Sequence, residues 1–154
     1  MKALTTVGVV AGVVVVGYLG FQSLQTRASK SEVNVTLSTT ADGGCAPAIS
    51  DVAGGGWLTH VTWHIANNCA NAQVVTMRDF VKDASGAKST DKVKVFSDDP
   101  IVSGQIAARD PDYRLKERIT KLVLLTSLYH YTICSADQTN GITKCQDPDV
   151  EIWP

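Results

Sequence analysis

The sequence predicts a mainly β fold, an antiparallel β-sandwich that follows a single N-terminal transmembrane helix. Three observations lead to this prediction. Many short segments after residue 32 alternate apolar and polar residues between turn residues, whereas no long soluble helix is evident. Residues 3–26 carry no charged side chain, and four cysteines follow them. We therefore expect a transmembrane anchor in residues 1–24, a linker in 25–32 and an extracytoplasmic β-sandwich in 33–154.

The N-terminal segment is long enough to cross a membrane. Its 24 uncharged residues span about 36 Å as a helix, and a bilayer core is about 30 Å thick. Lipid favours the helix in spite of the many valines, because the backbone must satisfy its own hydrogen bonds there. A cleaved signal peptide remains the alternative, with Lys2 as its basic start, although the site at Thr26-Arg27-Ala28 is a poor one.

Two glycines in this segment are spaced for helix packing. Gly8 and Gly12 lie four residues apart, on one face of a helix. Small residues at this spacing let a second transmembrane helix approach closely. We predict that these glycines form the membrane-helix packing face.

The segments expected to form the sandwich follow one another with short turns between them. They are residues 33–37, 57–66, 73–81, 92–96, 101–107, 119–125, 128–134, 142–145 and 149–153, with 101–107 the weakest. We expect about seven of these nine segments to form strands, which is the pattern of an antiparallel β-sandwich. Residues 114–125 are ambiguous, since their first part also fits a helical turn, but we favour a strand over 119–125.

The clearest strand is predicted over residues 57–66. Its odd positions place Trp57, Val61 and Trp63 on one apolar face, and its even positions include His60 and His64. We expect Trp57 to lie in the core for this reason. The preceding stretch, 43–56, is rich in glycine and is predicted to be a loop.

The second half of the chain resembles a generic bacterial immunoglobulin-like domain. The resemblance rests on Tyr129-x-Tyr131-x-Ile133 followed by an Asp-Pro-Asp-x-Glu-Ile run at 147–152. It implies a fold and no function. The match is incomplete, because Thr132 stands where a tyrosine corner places its tyrosine, two residues before a cysteine.

The four cysteines are predicted to form two disulfides. An even number behind an export segment is typical of a disulfide framework. Cys134 and Cys145 flank the hairpin-turn signal Asn140-Gly141, which leaves Cys45 to pair with Cys69. A crossed Cys69–Cys134 bridge between sheets is the alternative. A zinc site is disfavoured because the sequence has no C-x-x-C pair.

No metal or cofactor site follows from the remaining motifs, so we expect none. His60 and His64 would lie about 13 Å apart along a strand, too far to share one metal unless another strand supplies His130. The aspartate-rich turns at 98–100, 110–112 and 147–149 fit ordinary turn chemistry better than calcium ligation. Asn34-Val-Thr36 is a glycosylation sequon, meaningful only in a eukaryotic source.

The charge distribution argues against nucleic acid as a partner. Residues 29–154 hold 12 basic and 15 acidic side chains, so the domain has no overall basic footprint. No nucleophile elbow or phosphate-binding glycine loop is present either. We therefore do not expect an enzyme.

The function expected from these observations is that of a non-catalytic accessory or structural subunit of a larger membrane protein complex. A respiratory or photosynthetic energy-transducing complex is one possible host. The lipid bilayer and other membrane subunits are the expected partners, with Trp57 and Trp153 as candidate contacts, since tryptophan is enriched at interface hot spots. A free-standing periplasmic or cell-surface binding module is the alternative, and a metal carrier or enzyme using His60, His64 or His130 is a third reading.

Overall fold

The computed structural model describes residues 29–84 and 87–154, which form two β-sheets packed face to face. This part of the chain contains eleven strands and no helix. The strands are β1 Glu32–Thr39, β2 Cys45–Ile49, β3 Ala53–Gly56, β4 His60–Asn67, β5 Gln73–Ala84, β6 Ala87–Lys92, β7 Ile101–Val102, β8 Tyr113–Arg118, β9 Ser127–Asp137, β10 Thr143–Gln146 and β11 Asp149–Trp153. The transmembrane helix predicted for residues 1–24 lies outside the described residues, and within them no helix could cross a membrane.

The smaller sheet has the strand order β2-β1-β4-β8, and the larger one β3-β11-β9-β5-β6. β10 pairs with β9 beyond the end of β11, and β7 pairs with β5. The β-sandwich is confirmed, but the wholly antiparallel arrangement of about seven strands was wrong. β1–β4 and β3–β11 are parallel pairs. Parallel neighbours need a crossover, and the chain supplies one between β1 and β4 by running through β2 and β3.

Aromatic side chains from both sheets meet in the core. The Trp63 ring on β4 packs edge-on against Phe96, with ring centroids 5.3 Å apart. Phe80 on β5 stacks on Tyr131 of β9 at 5.2 Å. The indole Nε1 of Trp63 donates to the Tyr131 hydroxyl at 3.3 Å, which ties the two sheets together. Burial raises the pKa of Tyr131, so this hydroxyl remains neutral.

A β-bulge in β5 changes which side chains reach the core. Val75 and Met77 point inward, and strict alternation would next bury Asp79. The pairing with β9 shifts between Arg78 and Val81, and Asp79 adopts a φ of 59°. The extra residue turns the Asp79 carboxylate outward and places Phe80 in the core instead.

Two of the predicted strands lie mainly in loops. The segment expected as a strand over 119–125 is a loop, and the strand of that region is β8, Tyr113–Arg118. The predicted strand 92–96 likewise falls at the end of β6 and in the loop after it. Both segments carry apolar residues such as Phe96 and Ile119, which reach the core from loops and pair by a single bridge.

The glycine-rich stretch predicted as a loop contains two strands, β2 and β3. β3 is fully buried and pairs in parallel with β11. Its glycines allow this approach, because a Cβ at Gly54 would lie 2.5 Å from the carbonyl oxygen of Glu151. Residues 53–56 are therefore part of the larger sheet rather than a loop.

Both predicted disulfides are present. Cys134 and Cys145 face each other across the β9–β10 pair, with Cα atoms 4.1 Å apart. Cys45, at the start of β2, bonds to Cys69 in the turn after β4, with a Cα separation of 6.2 Å. The buried Asn67 side chain holds that turn, because its Oδ1 accepts from the backbone N–H of Cys69 at 3.0 Å.

Candidate functional site

Two tryptophans predicted as partner contacts lie at the same end of the larger sheet. Trp153 pairs with Gly56 in the β3–β11 register, and Trp57 follows Gly56 directly. A Cβ at Gly56 would lie 3.2 Å from Nε1 of Trp153, so the indole ring packs over this glycine. We call Trp57, Trp153 and Gly56 the tryptophan edge.

The placement of Trp57 corrects one expectation. β4 begins at His60 rather than at residue 57, and Trp57 is 50% exposed instead of lying in the core. The chain turns here from β3 of one sheet to β4 of the other within three residues. The Thr59 hydroxyl donates to the Gly56 carbonyl at 2.7 Å, and Leu58 has a φ of 63°. This tight turn leaves Trp57 on the surface.

A second apolar feature at this end was missed by the sequence reasoning. Residues 120–126, here called the leucine loop, connect the C-terminal end of β8 to the N-terminal end of β9. Leu124 is 89% exposed and Leu125 is 79% exposed, while Leu122 is also exposed. Their run of apolar residues predicts a strand, but the structure has a loop here. The segment contains more leucine than β-branched residues, although β-branched residues are enriched in strands. This composition is the sequence signal that distinguishes the segment from the buried strands.

The leucine loop and the tryptophan edge share one end of the sandwich. The backbone N–H of Leu58 donates to the carbonyl of Ile119 at 2.9 Å, which joins the β3–β4 turn to the start of the loop. Ser127, at the other end of the loop, pairs with Ile152 next to Trp153. Exposed apolar side chains from two separate stretches of the chain, together with the partly buried Trp153, therefore gather at this end.

The described chain also begins close to this end. The Ser29 hydroxyl donates to Oε2 of Glu151 on β11 at 2.6 Å. Lys30 pairs with Ala53 of β3. Ser29 thus contacts a residue two positions before Trp153, so the first described residue lies near the tryptophan edge.

A polar groove of about 460 Å³ lies on the outer face of the larger sheet. His130 on β9 lies at its centre, with Nδ1 2.5 Å from Oδ1 of Asp149 and Nε2 3.6 Å from Oδ2 of Asp83. The Thr132 hydroxyl donates to Oδ1 of Asp147 at 2.8 Å. The bulge residue Asp79 lines the opposite wall and is paired with lysine and arginine.

The histidines of β4 and the histidine of β9 lie on opposite faces of the sandwich. His64 is on the outer face of the smaller sheet, where Nδ1 lies 2.8 Å from Oδ1 of Asp112. This contact is the main cause that lowers the pKa of Asp112. His130 is on the outer face of the larger sheet, on the opposite side of the sandwich, while His60 is exposed at the start of β4. A site that joins His60 and His64 to His130 is therefore excluded by geometry.

The aspartate-rich turns make local contacts with neighbouring strands. Asp112 binds His64 and Arg114, while Asp147 and Asp149 bind Thr132 and His130. Within the described residues, no group of three or more potential ligands is arranged to hold a metal ion. Gly8 and Gly12, the predicted membrane-helix packing pair, lie outside the described part of the chain.

Comparisons with known proteins give distant structural likeness and no family. No family model and no curated protein matches the chain. The chain is similar to one in the crystal structure of the CsuC–CsuE chaperone–tip adhesion subunit pre-assembly complex from archaic chaperone-usher Csu pili of Acinetobacter baumannii. The identity is 15%, the TM-score is 0.46, and the match covers 65% of this chain. This chain spans about half of the matched chain, 47% of which is covered.

The class of the domain follows from its own two sheets. It is a mainly β sandwich, as the sequence pattern indicated. Two intrachain disulfides staple it. The fold does not specify a function, which must be argued from the surfaces described above.

Proposed function

We propose that the chain is a non-catalytic, single-pass membrane-anchored accessory or structural subunit of a larger membrane protein complex. Its domain lies in the periplasm or outside the cell, and an energy-transducing complex is one class of host. The observation that carries this proposal is the tryptophan edge. Trp57 and Trp153 lie together at the end of the domain where the chain continues toward the predicted anchor.

Several properties of the edge support a role in docking. Trp57 is half exposed on a tight turn that is fixed by hydrogen bonds, so little conformational entropy is lost when it binds. Tryptophan is also enriched among residues that dominate binding energy. The two disulfides support an oxidising compartment outside the cytoplasm.

The surfaces that carry histidines support a non-catalytic role. The two histidines that face aspartates, His64 and His130, do so on opposite sides of the sandwich. Each histidine–aspartate pair also joins neighbouring structural elements. Asp149, for example, lies on β11 beside His130 of β9. These contacts are explained by stabilisation of the sheets.

Affinity purification of the full chain from solubilised membranes tests the proposal. We expect wild type to retain a membrane protein partner, and Trp57→Ala and Trp153→Ala each to reduce its yield several-fold. Val102→Ala is the matched control, because Val102 is an exposed apolar residue on β7, away from the edge. Gly12→Leu is also expected to weaken association through the membrane helix. An unchanged far-ultraviolet circular dichroism spectrum and an unchanged melting temperature would show that the domain remains folded.

The results separate the possible functions. If Trp57→Ala, Trp153→Ala and Gly12→Leu all retain every partner that wild type retains, the proposed contacts are wrong. If wild type itself retains nothing, a free-standing periplasmic or cell-surface binding module becomes the better proposal.

The groove around His130 favours that second candidate. Three aspartates and one lysine line it, so its charge suits a cationic ligand. Spermidine is a simple probe: calorimetric binding that His130→Ala leaves intact but Asp149→Asn weakens would support electrostatic recognition in the groove. Absence of binding would leave the groove without evidence for this role.

A further inference from the structure

We propose that the leucine loop, together with Leu58, rests in the headgroup region of an anionic lipid bilayer and orients the domain on the membrane. This inference rests on the tether in the proposed function, and it assigns a lipid contact to a surface next to the tryptophan edge. Leu122, Leu124 and Leu125 project from a loop at one end of the sandwich. Among the large apolar residues exposed in the described chain, only Val102 lies away from this end.

The charges beside the loop favour lipid over protein as its occupant. Residues 57–60 and 118–127 contain Arg118 and Lys121 but no carboxylate. A shallow groove of about 350 Å³ beside the loop is lined by Lys82 and Lys121 together with leucine and valine side chains. Apolar residues edged by lysine are typical of surfaces that bind anionic membranes. Lysine is depleted from protein–protein interfaces.

The length of the tether determines which end of the domain can reach the bilayer. If the anchor ends at residue 24, five residue steps separate it from Ser29, which is already bound to Glu151. Five extended steps cover at most about 18 Å. A domain of this size has a radius of gyration of about 14 Å. The bilayer therefore lies close to the Ser29 end, which is the end that carries the leucine loop.

The local charge also explains how an acidic domain can bind an anionic surface. The domain as a whole carries more acidic than basic residues. Charges separated by more than about 10 Å are screened at ordinary salt concentrations. The lysines beside the loop therefore act on nearby headgroups more strongly than the net charge of the whole domain does.

Depth-dependent fluorescence quenching tests the inference with the full chain in vesicles. All four native cysteines are in disulfides, so Leu124→Cys provides one site for an environment-sensitive fluorophore. Val102→Cys is the matched control. Strand β7, which carries Val102, pairs with β5 at a position opposite Cys134 of β9. Cys134 lies seven residues along β9 from Ser127, a distance of roughly 23 Å. The vesicles contain phosphatidylcholine and phosphatidylglycerol, with a spin-labelled lipid as quencher.

We expect the label at position 124 to be quenched several-fold more than the label at position 102. The difference should decrease in vesicles of phosphatidylcholine alone, and it should decrease when Lys121→Glu is added. Because Leu124 is 89% exposed, its substitution leaves the core intact. The fluorescence of the buried Trp63 checks this point in every variant.

The alternative occupants give different results. A label at position 124 that is shielded from water but not reached by the lipid quencher would show that protein covers the loop, and would overturn the inference. Equal quenching at positions 102 and 124 would also overturn it. A chain that fails to float with the vesicles overturns the tether and this inference together, whereas one that floats with an unquenched label overturns only the lipid contact.

Discussion

At the residue scale, the parallel pairing of β3 and β11 depends on a missing side chain. Gly54 is buried, and a Cβ there would lie 2.5 Å from the carbonyl oxygen of Glu151 and 2.8 Å from Cβ of Ser29. The first clash is with backbone, so it cannot be relieved by a rotamer change. This glycine therefore permits both the strand pairing and the attachment of Ser29 near the tryptophan edge.

Gly54→Ala is expected to destabilise the domain by about 1–3 kcal/mol, because the added methyl group overpacks a buried site. Urea titration of the full chain, followed by tryptophan fluorescence, measures the change. Gly104→Ala is the control, since the nearest atom to its Cβ would be the Tyr113 hydroxyl at 3.2 Å. Equal losses for the two variants would contradict the importance of the β3–β11 approach.

Asp137 organises the turn between β9 and β10 through its carboxylate. Its side chain is 3% exposed by area, and Oδ2 accepts from Nδ2 of Asn71 at 2.9 Å. Oδ1 accepts from the backbone N–H groups of Thr139 and Asn140. The bond from Asn71 is the main cause that lowers the Asp137 pKa, and the backbone bonds contribute further.

The sign of the resulting pH dependence follows from this lowered pKa. The carboxylate stabilises the fold fully above its unfolded pKa of about 3.9, and this stabilisation is lost as the pH falls through the folded pKa. We expect Asp137→Asn to be less stable than wild type at pH 7, with a difference that shrinks toward pH 2. Other carboxylates titrate in both proteins, so the difference reports on Asp137. A constant difference across this range, measured by urea titration, would exclude the charge as its source.

At the scale of the element, the two disulfides act on different parts of the sandwich. Cys134–Cys145 links β9 directly to its neighbour β10. Cys45–Cys69 links β2, an edge strand of the smaller sheet, to the turn that leads out of β4. The sequence separations are 11 and 24 residues, so the second bond closes the longer loop.

Removal of either bond by a pair of Cys→Ala substitutions is expected to cost about 3 kcal/mol, and somewhat more for Cys45–Cys69 because its loop is longer. Urea titration measures both losses, and non-reducing peptide mapping verifies the pairing that remains. The burial of Cys45 and Cys69 increases the second loss further, since alanine leaves unfilled space there. A larger loss for Cys134–Cys145 would contradict this ranking.

At the scale of the whole molecule, the exposed apolar side chains are concentrated at one end of the domain. The tryptophan edge, the leucine loop and the first described residue lie at one end, while the acidic groove lies on the outer face of the larger sheet. An apolar end next to the proposed anchor suits a domain held against a membrane. The proposed protein contact and the proposed lipid contact therefore require the same orientation of the domain on the membrane.

The full chain is expected to remain in the membrane fraction after a carbonate wash, because residues 3–26 form a charge-free run long enough for a span. Intact mass measurement should show residues 1–28 retained. The four cysteines should be oxidised in protein isolated with alkylated free thiols, as expected for a domain outside the cytoplasm. A mature protein that starts near Ser29 would identify the segment as a cleaved signal and contradict the proposed anchor.

The sequence by itself determined the β-sandwich, both disulfide pairs and the positions of most strands. Alternation and turn residues encode strands locally, and an N-G turn between two cysteines restricts their pairing. Only the tertiary structure decided which strands run parallel, where β5 bulges and why Phe80 replaces Asp79 in the core. It also decided that Trp57, Trp153 and the leucine loop share one end. These features depend on contacts between residues far apart in the chain, and local periodicity carries no information about them.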